Sequence, residues 1–149
     1  MSGLGGDGWL ENYLPYRLYR VTNRLTARLQ DRLQSTGINP SRWRVLSVLR
    51  SFGTQSIREI VEHTLMKQTT VSWVIVQLEG EGLVSRRSSQ KDSRATDVVL
   101  TERGHAAFNE IAPAARRHQD TALGGLTRKE VAALRALLVK IEQNIDLYD

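Results

Sequence analysis

At 149 residues the chain has room for one domain of ordinary size with a real core, and none for a separate catalytic domain. Its 21 Lys and Arg against 16 Asp and Glu leave a net charge of +5, which suits a polyanionic partner but would fit a ribosomal or membrane-surface protein equally well. The absence of cysteine excludes disulfides, thiolate metal sites and a thiol redox switch.

The opening, Met1 to Gly8, carries four glycines and has neither the basic end nor the apolar middle of a signal peptide, so residues 1–9 read as a flexible tail. With no apolar run long enough to cross a bilayer, no membrane partner and a cytoplasmic location are expected. From Leu10 to Ser35, Leu14, Leu18, Val21, Leu25, Leu29 and Leu33 keep helical spacing, which predicts one long amphipathic helix with Pro15 tolerated in its first turn. Arg17, Arg20, Arg24, Arg28 and Arg32 fall three or four apart along it, opposed in that run only by Asp31. Most of that stripe reads as a solvated face, with one or two cations left for phosphate or an acidic ligand. Thr36-Gly37 stops the helix. Asn39-Pro40-Ser41 precedes a second helix, about Ser41 to Phe52, with Trp43, Leu46 and Leu49 on its core face. Gly53-Thr54-Gln55 reads as a connector, and Ser56 with Glu59 as a capping box opening a third helix.

The next segment begins near Lys67. Its β-branched content favours a strand on propensity alone, but Val71, Ile75 and Leu78 recur at three- and four-residue spacing, which predicts a helix with Thr69, Ser72, Trp73 and Val76 on the opposite stripe. Gly82 ends it in a left-handed turn. Leu83 to Arg87 and Thr96 to Leu100 are β-prone runs around the polar loop Ser88 to Arg94, a hairpin bearing Arg86, Arg87, Lys91 and Arg94 against Asp92. Helix, turn, helix and basic hairpin in that order, from Ile57 to Thr101, predict a winged helix-turn-helix that binds double-stranded DNA. The candidate contacts are Lys67, Gln68, Thr69, Thr70, Ser72 and Trp73 on the helix, and Arg86, Lys91, Asp92 and Arg94 on the wing. The plainer reading of the wing cations, that they solubilise an exposed turn, loses ground because they follow a helix-turn-helix.

Thr101 caps a helix carrying Ala107, Phe108 and Ile111, which Pro113 should kink or break in two; Gly124-Gly125 ends it. Thr127 and Glu130 form a second capping box before a last helix bearing Val131, Leu134, Leu137, Leu138, Ile141 and Ile145. Six large aliphatics there exceed what a small winged-helix core can cover, so a second copy is the expected partner. The fold class is therefore mainly α with a small β-hairpin wing. Residues 40–100 form the winged helix-turn-helix within a single domain, 10–149, and residues 10–36 and 101–149 form a dimerisation region. A two-fold dimer would set two recognition helices about 34 to 36 Å apart, one turn of B-form DNA, and so read a palindrome.

Several ordered motifs resemble the MarR regulators (multiple antibiotic resistance regulators). They are Trp43-Arg44-Val45-Leu46, Leu65 to Ser72, Leu78-Glu79-Gly80-Glu81-Gly82-Leu83-Val84, Asp92-Ser93-Arg94, Val99-Leu100-Thr101 and Gly104, and the likeness runs from about Leu10 to Tyr148. The resemblance implies a homodimeric repressor on a promoter palindrome, joined through first and last helices and released by a small ligand, often an aromatic carboxylate. The family's pocket lies between dimer region and winged domain, where Tyr13, Tyr16, Arg17 and Arg20 would gather near Trp43; the alternative for these rings is packing in the dimer core. Members usually carry Arg and Asp where this chain has Trp73 and Val76, so the helix lacks a polar contact and sequence preference is open. Trp73 then either meets a sugar or thymine methyl or covers the helix's own apolar surface. His63, His105 and His118 lack the spacing of a compact metal site, and no cofactor is expected. No Gly-x-Ser-x-Gly, phosphate-binding glycine loop or His-Glu-x-x-His is present, so no enzyme is expected; the alternative is a winged helix with nonspecific DNA-binding or protein-contact roles and no effector.

Overall fold

The computed structural model describes residues 6–148. Of the expected tail, residues 1–5 lie outside the described residues. Helix α1, Trp9–Asn12, is followed by α2, Leu14–Leu33, rather than merging with it. The predicted single helix is interrupted at Tyr13, whose backbone is extended (φ −82°, ψ 105°), and Pro15 sits in the first turn of α2. Pro15 has no N–H for the Glu11 carbonyl and its ring would collide with it, so the chain restarts the helix just before the proline.

A 3-10 turn, Gln34–Thr36, leads through left-handed Gly37 to α3, Pro40–Phe52, one residue earlier than expected. Asn39 caps α3 by accepting from the Arg42 amide, and proline suits the first helical turn, where its missing donor is not needed. The connector expected at Gly53-Thr54-Gln55 ends in a short strand β1, Gln55–Ser56, too brief to leave an alternation pattern in sequence. Helix α4, Ile57–Thr64, opens on the predicted Ser56 and Glu59 capping box; the Ser56 amide donates to the Glu59 carboxylate and holds its pKa below the usual value.

Helix α5, Gln68–Gly80, forms despite its β-branched residues because Val71, Val74, Ile75 and Leu78 are all buried along one face. Its end is a Schellman turn: Leu83 N–H donates to the Leu78 carbonyl (2.9 Å) and Gly82 N–H to Glu79 (2.9 Å), with Gly82 at φ 74°. Strands β2, Val84–Ser88, and β3, Thr96–Leu100, pair antiparallel from Val84 opposite Leu100 to Ser88 opposite Thr96. β1 adds to the other edge of β3, giving the order β1-β3-β2.

Helix α6, Glu102–Ala122, runs unbroken through Pro113, so of the two expectations there the break does not occur. Buried Ile111 and Ala112 pack this helix on α2 and α3, and that packing offsets the one hydrogen bond proline forgoes. Helix α7, Arg128–Ile145, begins at the predicted Thr127 and Glu130 box and has no buried residue. The core lies between α3, α4, α5 and the sheet, with Leu33, Val45, Leu46, Ile60, Val71, Ile75, Leu78 and Val98 completely inaccessible. Trp43, placed on the core face, is only half-buried and stacks on Phe108 at 4.9 Å between centroids. Leu33 is the one buried member of the stripe expected on the first helix; Leu14, Val21 and Leu25 are exposed among the described residues. The architecture is a winged helix, mainly α with one small antiparallel sheet.

Candidate nucleic-acid interface

The turn between α4 and α5 is tight because Leu65 takes a left-handed conformation (φ 56°) at the end of α4, while the Thr64 hydroxyl donates to the Ile60 carbonyl (2.7 Å) and accepts from the Met66 amide (3.3 Å). Lys67 occupies the cap of α5 without a capping side chain, so the first-turn amides stay available to an anion. Burial of Val71, Val74, Ile75 and Leu78 turns the other face outward. Lys67, Gln68 and Thr69 are exposed, Thr70 and Ser72 half-buried, and Trp73 and Val76 remain 63% and 44% accessible. Gln68, Thr69, Ser72, Trp73 and Val76 together line a shallow concavity of about 480 Å³.

The wing is fastened to this helix by Glu79. Its Oε1 accepts from Arg86 Nε (3.0 Å) and Nη2 (2.8 Å), and its Oε2 accepts from the Arg86 amide (3.0 Å). Those hydrogen bonds hold the Glu79 carboxyl below the usual carboxylate range and raise the Arg86 guanidinium. Arg86 is thus neutralised within the chain and positions the hairpin. Sequence reasoning missed Glu79, because a partner seven residues away across a turn leaves no local pattern.

At the tip, Asp92 Oδ1 accepts from the Arg94 amide (3.0 Å), and the Ser89 hydroxyl accepts from the Lys91 amide (3.2 Å). Ser89 N–H and Ala95 N–H close the loop on the Ala95 and Asp92 carbonyls, each at 3.0 Å. Asp92 therefore shapes the turn as an acceptor, while the side chains of Lys91 and Arg94 are exposed and in no ion pair among the described residues. Arg87 reaches Thr54 Oγ1 at 3.3 Å. Arg42, 9% exposed, pairs with Glu81 and donates to the Gly37 carbonyl (3.0 Å), tying the far end of α5 to the start of α3.

The residues expected around a ligand are divided. Tyr13 stacks on Trp9 at 4.7 Å, and Trp43 is engaged with Phe108. Arg17 and Arg20 instead line an open cavity of about 770 Å³ between α2 and the end of α6, with Val21, Arg24, Leu25, Arg28, Asp31, Arg32, His118, Thr121 and Ala122. Tyr16 stays beside Arg20, its hydroxyl accepting from Nη1 at 3.2 Å. The arginine stripe was visible in sequence; the α6 wall facing it was not, since it depends on how two distant helices pack. The three histidines are separated: His63 stacks on Phe52, His105 lies 3.2 Å from an Arg50 nitrogen, and His118 lines the cavity. No helix among the described residues is long and apolar enough to cross a membrane.

Residues 36–95 match the model of the MarR family. The transcriptional repressor IacR of Pseudomonas putida is 30% identical over 136 residues, covering 91% of this chain and 81% of that protein. Among solved structures, a MarR family regulator from Silicibacter pomeroyi superposes with a TM-score of 0.83 at 28% identity, covering 94% of each chain. BpsR of Bordetella bronchiseptica, whose DNA binding is regulated by 6-hydroxynicotinic acid, does so with a TM-score of 0.78 at 29% identity, covering 87% of this chain and 98% of that one. The chain belongs to the MarR family of winged-helix, DNA-binding transcriptional regulators. The repressor IacR and the Silicibacter pomeroyi protein are both transcriptional regulators.

Proposed function

We propose that the protein is a cytoplasmic homodimeric repressor that occupies a palindromic promoter site and is released by a small aromatic carboxylate. The observation carrying this reading is the outward face of α5, with its free first-turn amides, beside a wing whose Lys91 and Arg94 are in no ion pair among the described residues. Lys67, Gln68, Thr69, Thr70, Ser72 and Trp73 enter the major groove, and Lys91 and Arg94 meet the adjoining backbone or minor groove. Arg86 and Asp92 shape the wing that delivers them.

Dimerisation is supported by α7, which has no fully buried residue while exposing Leu134, Leu137, Leu138 and Ile145, and by the exposed Leu14, Val21 and Leu25 of α2. Residues 10–36 and 101–149 accordingly form the subunit contact and residues 40–100 the DNA-binding part of one domain. The ligand reading rests on the cavity between α2 and α6, where Arg17 and Arg20 offer guanidinium groups to a carboxylate and Val21 and Leu25 an apolar wall for a ring. Tyr16 orients Arg20, and Tyr13 and Trp43 contribute by packing. The 6-hydroxynicotinic acid that regulates BpsR is itself an aromatic carboxylic acid. Such a ligand acts only through its different affinity for the DNA-binding and released states.

The test is selection of duplexes from a random library, followed by titration of the enriched duplex and a scrambled one at matched salt. Several orders of magnitude between them are expected, and equal affinity would favour a nonspecific winged helix, the reading that the less polar Trp73 and Val76 face keeps in play. For the ligand, 6-hydroxynicotinate, salicylates and benzoates should raise the melting temperature and weaken duplex binding. No stabilisation by any of them would remove the carboxylate.

A further inference from the structure

Trp73 and Val76 lie one helical turn apart on α5, 63% and 44% accessible, on the face opposite buried Val71, Val74, Ile75 and Leu78. The protein's own core cannot cover them, because that core is already packed against the other side of the same helix. An indole and an isopropyl group held in water on a thirteen-residue helix keep apolar surface available for a partner.

The chemistry of the remaining face narrows what that partner offers. Helix α5 contains no Arg, Lys, Asn or Asp between Gln68 and Gly80, so the pairing to guanine O6 and N7 is left to Lys67 at its cap and is unavailable from the turns that carry Trp73 and Val76. Gln68, exposed in the first turn, can pair with adenine N6 and N7. Thr69 and Ser72 supply hydroxyls that pair with any base. The one apolar group that the major groove displays is the thymine 5-methyl, which sits beside the O4 acceptor. An indole can cover that methyl while its N–H, on a ring 63% accessible, donates to O4. Lys67 at the head of the helix and Lys91 and Arg94 on the wing supply the attraction for the phosphates on either side of such a groove.

We propose that Trp73 and Val76 read thymine 5-methyl groups, so that the base pairs beneath these two side chains in each half-site are A·T. The proposal rests on the DNA-binding reading above and deepens it.

The test uses the full chain and the duplex enriched from a random library, resynthesised with deoxyuridine replacing the half-site thymines. That replacement keeps every hydrogen-bonding group and removes only the methyl. Wild-type protein should bind the uracil duplex about fourfold more weakly for each methyl contacted. In Trp73→Ala and Val76→Ala the ratio between the two duplexes should fall towards one. A side chain that merely shaped the helix would weaken both duplexes alike and leave the ratio unchanged, which would overturn the proposal, as would equal binding of the two duplexes by wild type or a G·C-rich selected half-site. Self-association of the free protein that disappears in Trp73→Ala would assign the patch to a second copy and equally overturn it. Failure to enrich any duplex would overturn the DNA-binding reading itself, and this proposal with it.

Discussion

Gly104 shows how one residue sets the angle between the wing and the helix that follows it. A Cβ there would lie 2.0 Å from the Leu83 carbonyl oxygen and 2.9 Å from Leu100, and that oxygen also accepts the Thr101 amide at 3.1 Å. Backbone cannot yield as a flexible side chain does, so Gly104→Ala should destabilise the fold by about 1–3 kcal/mol, read as a lower midpoint in urea. Arg94 is the other residue whose place decides something. It stands exposed at the tip while Asp92 is spent on its amide, so Arg94→Ala should weaken duplex binding with little change in stability. The slope of log affinity against log salt should become shallower by about one. An unchanged slope would mean that the wing does not meet the backbone.

At the scale of elements, the contact that matters is the fastening of β2 to α5 through Glu79 and Arg86. Glu79→Gln removes the charge and leaves the shape, and should raise hydrogen exchange at residues 84–88 and weaken DNA binding while global stability barely moves. The pH dependence has a definite sign. Because Arg86 lowers the folded-state pKa of Glu79, the tie is fully present above the pKa of an unfolded glutamate and is lost as pH falls through the lower folded value. Wing protection should therefore hold at neutral pH and fade only in acid below the range where an ordinary glutamate protonates, and Glu79→Gln should abolish that dependence. The elements differ in how far sequence revealed them. The recognition helix was legible because the spacing of Val71, Ile75 and Leu78 outweighs strand propensity, and both capping boxes because their chemistry is local. β1 was not, since two residues acquire strand character only by pairing with Val98 and Asp97. The break at Tyr13 and the continuity through Pro113 are opposite outcomes for two prolines: Pro15 begins a helix, while Pro113 follows buried Ile111 and Ala112, which hold α6 in place.

For the whole molecule, the apolar surface left bare on α2 and α7 is the feature that a single chain cannot account for. Light scattering should give a mass twice the 16.8 kDa of one chain, and Leu137→Asp on the exposed face of α7 should shift it towards the monomer. A monomeric mass for the unmodified protein at micromolar concentration would remove the two-fold arrangement and the palindrome with it. The surplus of aliphatics on α7 was legible in the sequence as a count, whereas the cavity between α2 and α6 was not, because it arises where two helices about ninety residues apart diverge.

Helix α5 should lie in the major groove of a duplex, twice per dimer. Because the chain has no cysteine, Thr69→Cys offers a single attachment point for an iron chelate that cuts nearby deoxyribose. On the enriched duplex, the labelled protein should cut in two symmetric clusters about one helical turn apart. Intact DNA, or cuts spread evenly along a duplex that is nevertheless bound, would contradict it.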